Sequence, residues 1–337
     1  MSMERRKPAS DAQWLFADVG GTNVRVCRWQ GDAGAGPIAR SPADAFDTLD
    51  AALRALAGAH ALLPDHCALA VAAPVHDAPM PMTNRGWVLD AAVLRRALGL
   101  QALRVVNDFV AAAAGIAALD AAATQTVRAG VPRPASRLLL GPGTGLGVAA
   151  VLDAGGSAER IVASEGGHMG FGYPEDALAP LLAAMHARWG RRLSWERLLS
   201  GDGLARLHAW QAGLAAPLEA RQVSACAAAG DPAARRAVQW FCRLLGACAG
   251  DLCLAFGADG GVWLTGGVLD GLGQAFDAGA FLEAFDDKGR YRARQREVPV
   301  HRVLATDLAF RGLARITRTA CRAPGLLVTP AGIEALH

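Results

Sequence analysis

Apolar residues along the chain form short and long runs, a pattern that predicts alternating strands and helices. Residues 15–19 and 24–29 are apolar runs on either side of a glycine turn, as in a β-hairpin. The same arrangement recurs at 137–152, where the turn "GPGTGLG" joins "RLLL" to "VAAVL". Two hairpins of one kind indicate an internal duplication. A longer apolar run at 232–256 predicts a buried helix.

Polar and glycine residues mark where other elements begin and end. Asp90 is the predicted N-cap of the helix "AAVLRRAL", and Gly99 is its predicted stop. Ser194 is expected to cap a helix that begins with "WERLL". Residues 120–136 are expected to form a loop or linker.

The alternation of strands and helices predicts an α/β fold of two domains with a cleft between them, in which both glycine turns meet one ligand. We assign residues 12–118 to a smaller α/β domain, which a C-terminal helix at about 317–337 joins. Residues 119–316 form the larger α/β domain in this prediction.

Composition and charge narrow the class of protein. The chain has 337 residues, of which 52% are hydrophobic and 19% charged, so a folded globular protein is expected. Its net charge is only +3, and we interpret the arginine run at 289–296 as a solvated loop, so nucleic acid is not an expected partner.

Two further features bear on where the protein is located. Seven cysteines form no C-x-x-C pair, which favours a reducing compartment. The start of the chain has no apolar run typical of a signal peptide, and the apolar stretch at 138–152 is too short and too rich in glycine to span a bilayer. The sequence therefore predicts a soluble cytoplasmic protein with no membrane partner.

The first glycine turn, "DVGGTN", carries more chemistry than a bend requires. Successive N–H groups in such a turn bind anions, so its backbone and the Thr22 hydroxyl could hold phosphate oxygens. Asp18 would repel phosphate, and instead we expect it to bind the Mg²⁺ of a nucleotide through water. The alternative is that a single glycine-rich turn is only a turn.

Two further glycine segments weaken that alternative. The turn at 141–147 offers a second set of N–H donors together with the Thr144 hydroxyl, and Gly266-Gly267 follows a third short strand. The chain contains no G-x-x-x-x-G-K-[ST] motif, which argues against a Walker-type NTPase. Apolar strand residues continue after the second turn, so a Rossmann site is disfavoured.

Four polar side chains are candidates for binding or catalysis. Asp108 follows a buried strand beside Asn107, where it could take a proton from an alcohol, or it could simply cap the next helix. Glu165 and His168 flank two glycines and could bind sugar hydroxyls, although His168 alone would more often be structural. Glu196 by itself could be a solvated helix residue or a capping partner of Ser194.

Taken in order, seven motifs resemble those of the bacterial glucokinase family, which belongs to the hexokinase and actin-like ATPase superfamily. They are "DVGGTN", "MTNRGW", "VVNDF", "GPGTGLG", "SEGGH", "ERLLSG" and "LTGGV". The zinc-binding cysteine cluster of the related ROK branch is missing. The resemblance covers residues 14–303 and implies a two-domain actin-like ATPase fold (hexokinase or ribonuclease H-like), with glucose and Mg-ATP in the cleft.

The resemblance also implies roles for individual residues. Asp108 would be the catalytic base toward the 6-hydroxyl of glucose, and the other hydroxyls would be held by Asn107, Glu165, His168 and Glu196. The nucleotide would be bound by two opposed glycine turns and a glycine pair near the nucleoside: Ala17, Asp18, Val19, Gly20, Gly21, Thr22 and Asn23; Gly143, Thr144 and Gly145; and Gly266 and Gly267. Family members commonly form homodimers.

One segment departs from the family pattern. Residues 305–316, "ATDLAFRGLARI", replace a segment that usually contains Asn-Pro-Gly-Leu, which puts the adenine contacts and the packing of the last helix in question. Two alternatives to an ATP-dependent glucose kinase therefore stay open. One is a sugar-binding sensor without turnover, and the other is a kinase for a different hexose.

Overall fold

A computed structural model describes residues 13–29, 35–58, 64–76, 78–82, 86–153, 159–172, 176–318 and 320–337. The chain packs as two compact units. The first unit comprises Met1–Leu119, Ser157–Ala163 and Ala305–His337, and the second comprises Asp120–Gly156 and Ser164–Leu304. Residues 1–12, which include the start of the predicted smaller domain, and Thr83, Asn84 and Arg85 of "MTNRGW" lie outside the described residues.

The first unit is built on a seven-stranded sheet whose order is β15-β14-β7-β4-β1-β2-β3. Its strands are β1 (Trp14–Val19), β2 (Asn23–Trp29), β3 (Ala39–Pro42), β4 (His66–Val71), β7 (Ala102–Asn107), β14 (Gly325–Thr329) and β15 (Gly332–Leu336). A separate two-stranded sheet contains β5 (Met80–Pro81) and β6 (Val88–Leu89). The three central strands β1, β4 and β7 are parallel, so their carboxyl ends lie at one edge of the sheet.

Four helices belong to this unit: α1 (Leu49–Gly58), α2 (Ala91–Leu98), α3 (Asp108–Gly115) and α11 (Leu308–Thr317). The predicted limits of α2 are confirmed. The Asp90 carboxylate accepts a hydrogen bond of 2.9 Å from the Val93 N–H, and Gly99 ends the helix at φ = 70°. A left-handed φ of this kind is the conformation that favours glycine after a helix.

The second unit is built on a six-stranded sheet of order β11-β10-β9-β12-β13-β8. Its strands are β8 (Thr124–Arg128), β9 (Arg137–Pro142), β10 (Leu146–Leu152), β11 (Arg160–Ser164), β12 (Gly261–Leu264) and β13 (Val300–Val303). Strands β9 and β10 form the second predicted hairpin, and β9, β12 and β13 are parallel.

Its helices are α4 (Ala179–Trp189), α5 (Gly201–Ala212), α6 (Ala220–Ala228), α7 (Pro232–Phe256), α8 (Gly267–Leu272), α9 (Ala278–Asp286) and α10 (Arg292–Glu297). The predicted helix at 232–256 is α7. In the described part of the chain, α7 alone is long and apolar enough to cross a membrane by length and composition. Because 72% of its apolar window is buried, a core helix accounts for the same composition.

The predicted duplication is confirmed by the topology. In the first sheet the hairpin β1–β2 is followed outward from β1 by the parallel strands β4 and β7. In the second sheet the hairpin β9–β10 is followed outward from β9 by the parallel strands β12 and β13. Each unit therefore places a glycine turn next to parallel strand ends.

Three sequence predictions are wrong. Residues 317–337 do not form a helix, because β14 and β15 make a hairpin there; the last helix is α11, and the C-terminal part of the first unit already begins at Ala305. The loop predicted at 120–136 contains β8, which pairs with β13. The arginine run at 289–296 is not a loop, since most of it is the helix α10, but it is solvated as predicted: apart from the buried Gln295, which donates to the Gly250 carbonyl, its residues are exposed. In the first two cases strand pairing decided the local structure.

Helices α3 and α11 pack at unusually short range through a glycine. A Cβ atom at Gly312 would lie 1.7 Å from the carbonyl oxygen of Ala111, a distance that no side chain tolerates. The atypical segment 305–316 thus supplies the glycine that lets the last helix lie against the helix that follows Asp108.

We predict that Gly312→Ala lowers the free energy of unfolding by about 1–3 kcal/mol or more, because the two helices must separate to admit the methyl group. Urea unfolding followed by circular dichroism measures the change. Gly58→Ala is the matched control, since a Cβ atom there meets nothing within 4 Å. Equal stability of the two variants would contradict the close packing.

Candidate active site

The polar residues predicted from the first unit lie at one edge of its sheet. Val19 at the end of β1 is in register with Val71 of β4, which is in register with Asn107 of β7. Asp18, Asn107 and Asp108 are therefore at neighbouring strand ends, the place where α/β sheets bind ligands. Parallel pairing brings together residues that are about ninety positions apart in the chain.

The first glycine turn is closed by hydrogen bonds within it. The Gly20 N–H donates to the Asn23 carbonyl over 3.0 Å, and the Asn23 amide donates to the Thr22 hydroxyl over 2.9 Å. The side chains of Ala17 and Val19 are fully buried in the core, so these two residues can offer a ligand only their backbone. The Gly20 N–H is thus bonded inside the turn, and the Thr22 side chain is exposed.

Asp18 has a partner that the sequence analysis missed. Arg25 lies directly opposite on β2 and donates through Nε to Asp18 Oδ2 over 2.9 Å. Arg25 also donates to the Thr306 carbonyl over 2.5 Å, and its guanidinium lies 5.5 Å from the centre of the Phe310 ring. An opposite charge at the facing position of a hairpin was the signal that could have revealed this pair.

Asp108 is not the cap of the following helix. That position is taken by Asn107, whose side-chain oxygen accepts hydrogen bonds from the N–H groups of Phe109 (2.9 Å) and Val110 (3.3 Å). The Asn107 amide nitrogen donates to backbone carbonyls of β4 and the residues after it, at 3.3 and 3.5 Å. Because Asn107 performs the capping, the Asp108 carboxylate is released from it, apart from a 2.9 Å bond to the Phe109 N–H.

The environment of Asp108 favours its protonated form. Its pKa is raised from 3.8 to about 7, chiefly by burial and also by the negative charge of Asp18, while hydrogen bonds from Phe109, its own N–H and Asn107 oppose the shift. A carboxyl group with a pKa near neutrality is suited to accept a proton from an alcohol and release it again. Such a shifted pKa is a common property of catalytic residues.

In the second unit, Glu165, His168 and Glu196 lie together. The His168 Nε2 atom is 3.9 Å from a carboxylate oxygen of each glutamate. A short 3-10 turn, Gly166–His168, brings His168 back toward Glu165. That turn packs on Leu146, since a Cβ at Gly167 would lie 2.1 Å from the Leu146 carbonyl oxygen. The glycines of "SEGGH" therefore serve close packing, and the three polar side chains stay partly exposed.

Glu196 is neither a solvated helix residue nor a capping partner of Ser194, the two interpretations made from the sequence for this residue by itself. Ser194 precedes a 3-10 turn, Trp195–Arg197, and makes no capping hydrogen bond there. Glu196 instead accepts a 3.0 Å hydrogen bond from the Leu146 N–H, at the end of the second glycine turn. Glu196 is thus held by the turn that contains Gly145, and it connects the polar cluster to that turn.

The second and third glycine segments also lie side by side. Gly266 has φ = 109°, and a Cβ there would lie 2.5 Å from the Pro142 carbonyl oxygen, so the pair Gly266-Gly267 rests on the strand that leads into Gly143. The start of α5 joins them, because the Gly201 N–H donates to the Gly143 carbonyl over 2.9 Å. Gly201 and its N-cap Ser200 were missed as part of this group, although "LLSG" is a recognisable helix start.

Comparison with known proteins gives a consistent result. A family model described as Glucokinase matches residues 15–320. The glucokinase of Cupriavidus metallidurans is 39% identical over 310 residues, which are 89% of this chain and 92% of that protein. The glucokinase of Chromobacterium violaceum is 38% identical over 311 residues, or 89% and 88% of the two chains.

A solved structure agrees with these relatives. The crystal structure of a glucokinase from an Antarctic psychrotroph matches with a TM-score of 0.78 at 30% identity, over 91% of this chain and 99% of that one. The predicted α/β class and two-domain actin-like ATPase fold are confirmed, with the two duplicated sheets described above.

The pKa of Asp108 predicts a pH-dependent stability. Because the folded-state pKa of about 7 is above the unfolded value, the stabilising contribution is complete below about pH 4 and is lost as the pH rises through 7. The unfolding free energy of the wild type, minus that of Asp108→Asn, should therefore fall between about pH 4 and pH 7 and then level off. Denaturant titrations at several pH values measure this difference, and Asp47→Asn, at an exposed carboxylate of the same unit, should show no such trend.

Proposed function

Because the chain belongs to the glucokinase family, we infer that it is a glucokinase, which transfers a phosphoryl group from ATP to the 6-hydroxyl of glucose. The observation that carries this beyond family membership is Asp108, a carboxyl group at a strand end with a pKa of about 7 and no capping role. A kinase acting on an alcohol needs a carboxylate that can accept the hydroxyl proton near neutral pH.

We assign Asp108 the role of general base. The neutral 6-hydroxyl is a poor nucleophile, and a carboxylate that orients it and takes its proton during transfer makes attack on the γ-phosphoryl group easier. Partial burial of the carboxylate and the nearby Asp18 charge both raise its proton affinity. Positioning of the hydroxyl supplies much of the remaining rate acceleration.

We assign the other hydroxyls of glucose to Glu165, His168 and Glu196, with Asn107. The two glutamates accept hydrogen bonds and His168 can donate or accept, which suits hydroxyls that do both. The 3.9 Å distances from His168 Nε2 to Glu165 and to Glu196 support a common role of these three in sugar binding. Asn107 is the least free of the four, because its amide already bonds backbone groups at both ends.

For the nucleotide, we propose that phosphate oxygens bind the N–H groups and the hydroxyl of the first turn, from Ala17 to Asn23. In the second unit the group formed by Gly143, Thr144, Gly145, Gly266 and Gly267 is proposed to bind the rest of the nucleotide. The packing of Gly266 against Pro142 and of Gly201 against Gly143 supports one continuous surface of bare backbone in that unit.

We propose Mg²⁺ as the metal that accompanies ATP, with Asp18 holding it through water. The donor set fits this ion, because the hydrogen bonds recorded for the Asp18 carboxylate end on Oδ2 and leave Oδ1 for a water ligand. Among the described residues no cluster of three or more His, Cys, Asp or Glu could form a dedicated metal site, and Mg²⁺ bound to substrate phosphates needs none. When bound, the ion would neutralise phosphate charge.

We also propose a cytoplasmic homodimer whose product enters glycolysis. The cysteines of the chain support a reducing location, since all seven are free and five are buried. The proposal of a homodimer is based on the homodimers that family members commonly form.

The experiment that tests this function is a coupled assay for the phosphorylated product with Mg-ATP over a panel of glucose, mannose, fructose and glucosamine. We expect kcat/KM to be highest for glucose. Asp108→Asn should bind glucose with nearly unchanged affinity, yet lose turnover by orders of magnitude. Absence of product at high enzyme concentration would favour the sensor, and a higher kcat/KM for another sugar would favour a different hexose kinase.

We further predict that Arg25 positions Asp18 and tunes Asp108. Loss of its charge in Arg25→Gln leaves Asp18 uncompensated, so the pKa of Asp108 should rise further and the ascending limb of the pH profile of kcat/KM should move to higher pH. Arg25→Lys should restore part of the shift, because it keeps the charge but not the fork of donors. Arg54→Gln, at an exposed arginine on α1, serves as control. If Arg25→Gln lowers kcat but leaves the ascending limb of the pH profile unchanged, Arg25 has only a structural role and the prediction is contradicted.

A further inference from the structure

A group of arginines surrounds one indole ring in the second unit. The guanidinium carbons of Arg188, Arg197 and Arg206 lie 4.7, 5.2 and 4.8 Å from the centre of the Trp189 ring. The three arginines come from the end of α4, the 3-10 turn Trp195–Arg197 and the middle of α5. We call these four side chains the Trp189 cluster.

The Trp189 cluster is short of negative charge. Among the described residues, these three arginines form one ion pair, in which Arg206 donates to Asp202 over 3.0 Å. Burial lowers the pKa of Arg206, and the charges of Arg188 and Arg197 lower it further, whereas Asp202 opposes both. Three cations with one carboxylate leave two charges uncompensated. An anion bound beside them would relieve their mutual repulsion.

The cluster borders an apolar cavity between α4 and α5. The cavity has a volume of about 460 Å³, within the range of small-molecule sites. Apolar lining residues include Leu181, Met185, Trp210 and Pro217. Trp189, Arg188 and Arg206 of the cluster also line the cavity, together with one carboxylate residue, Asp202, whereas Arg197 is not among the lining residues. A cavity with apolar walls and cationic groups at one side fits a molecule of matching character, with an apolar body and an anionic end.

We propose that this cavity binds a small organic anion whose apolar or aromatic ring lies against Trp210 and Met185 and whose phosphate meets the guanidiniums of Arg188 and Arg206, with Arg197 adding positive charge from across the Trp189 ring. Guanidinium groups bind phosphate oxygens through paired N–H donors, and stacking on an indole fixes their planes in advance. The inference does not depend on the proposed kinase activity, because it concerns residues to which no catalytic role is given.

The test is a titration of the purified protein with phenyl phosphate, without glucose or nucleotide, followed by calorimetry and tryptophan fluorescence. We expect one saturable site, with at least tenfold weaker binding of benzyl alcohol, which lacks the charge, and of inorganic phosphate, which lacks the ring. The double variant Arg188→Gln/Arg197→Gln should weaken phenyl phosphate binding at least tenfold. Both arginines are exposed, so the fold should survive, and the unfolding midpoint checks this.

The matched control is Arg290→Gln/Arg292→Gln, which removes the same charge from exposed positions of the same unit and should leave binding unchanged. Binding that persists in the Arg188→Gln/Arg197→Gln variant would place phenyl phosphate elsewhere, for example at the glycine turns, and would overturn the proposal. Equal affinity for benzyl alcohol would also overturn it, because the site would then recognise no charge. Loss of turnover has no bearing on either result.

Discussion

Two carboxylates share the buried edge of the first sheet, and the chemistry of this unit depends on how their charges are separated. Asp18 forms an ion pair with Arg25, whereas Asp108 is half-buried and its pKa is raised to about 7. A pair of like charges in a protein interior is tolerated when one finds a counter-charge and the other can take up a proton. The strand register creates this arrangement, because β1, β4 and β7 end at the same level.

The atypical C-terminal segment is part of the same arrangement. Its Thr306 carbonyl and Phe310 ring hold the Arg25 guanidinium, and its Gly312 allows α11 to lie against α3, the helix that begins at Asp108. Residues 305–316 therefore contact both the ion-pair partner of Asp18 and the helix that begins at Asp108, although their sequence differs from the usual family pattern.

In the second unit the glycine segments are held together by close backbone contacts. Its glycine turn, the Gly266-Gly267 pair and the start of α5 are in direct contact, and Leu146 receives both Glu196 and the Gly166–His168 turn. The contacts of Gly266 and Gly167 are close because glycine has no side chain. The polar cluster of Glu165, His168 and Glu196 is thus connected to the turn proposed to bind nucleotide by the hydrogen bond between Leu146 and Glu196.

The sequence by itself determined the elements whose signals are local: the two hairpins, the cap and stop of α2, the limits of α7, and the glycine and acid motifs that carry the family resemblance. It failed where the outcome depended on distant partners. The C-terminal hairpin forms because β14 pairs with β7, and β8 forms because it pairs with β13. Asp108 does not cap the next helix because Asn107 does, and the Asn107 side chain is held by hydrogen bonds to the carbonyls of β4 and the residues after it. Periodicity and turn chemistry act over a few residues, whereas strand pairing, burial and the resulting pKa are properties of residues that only the folded chain brings together.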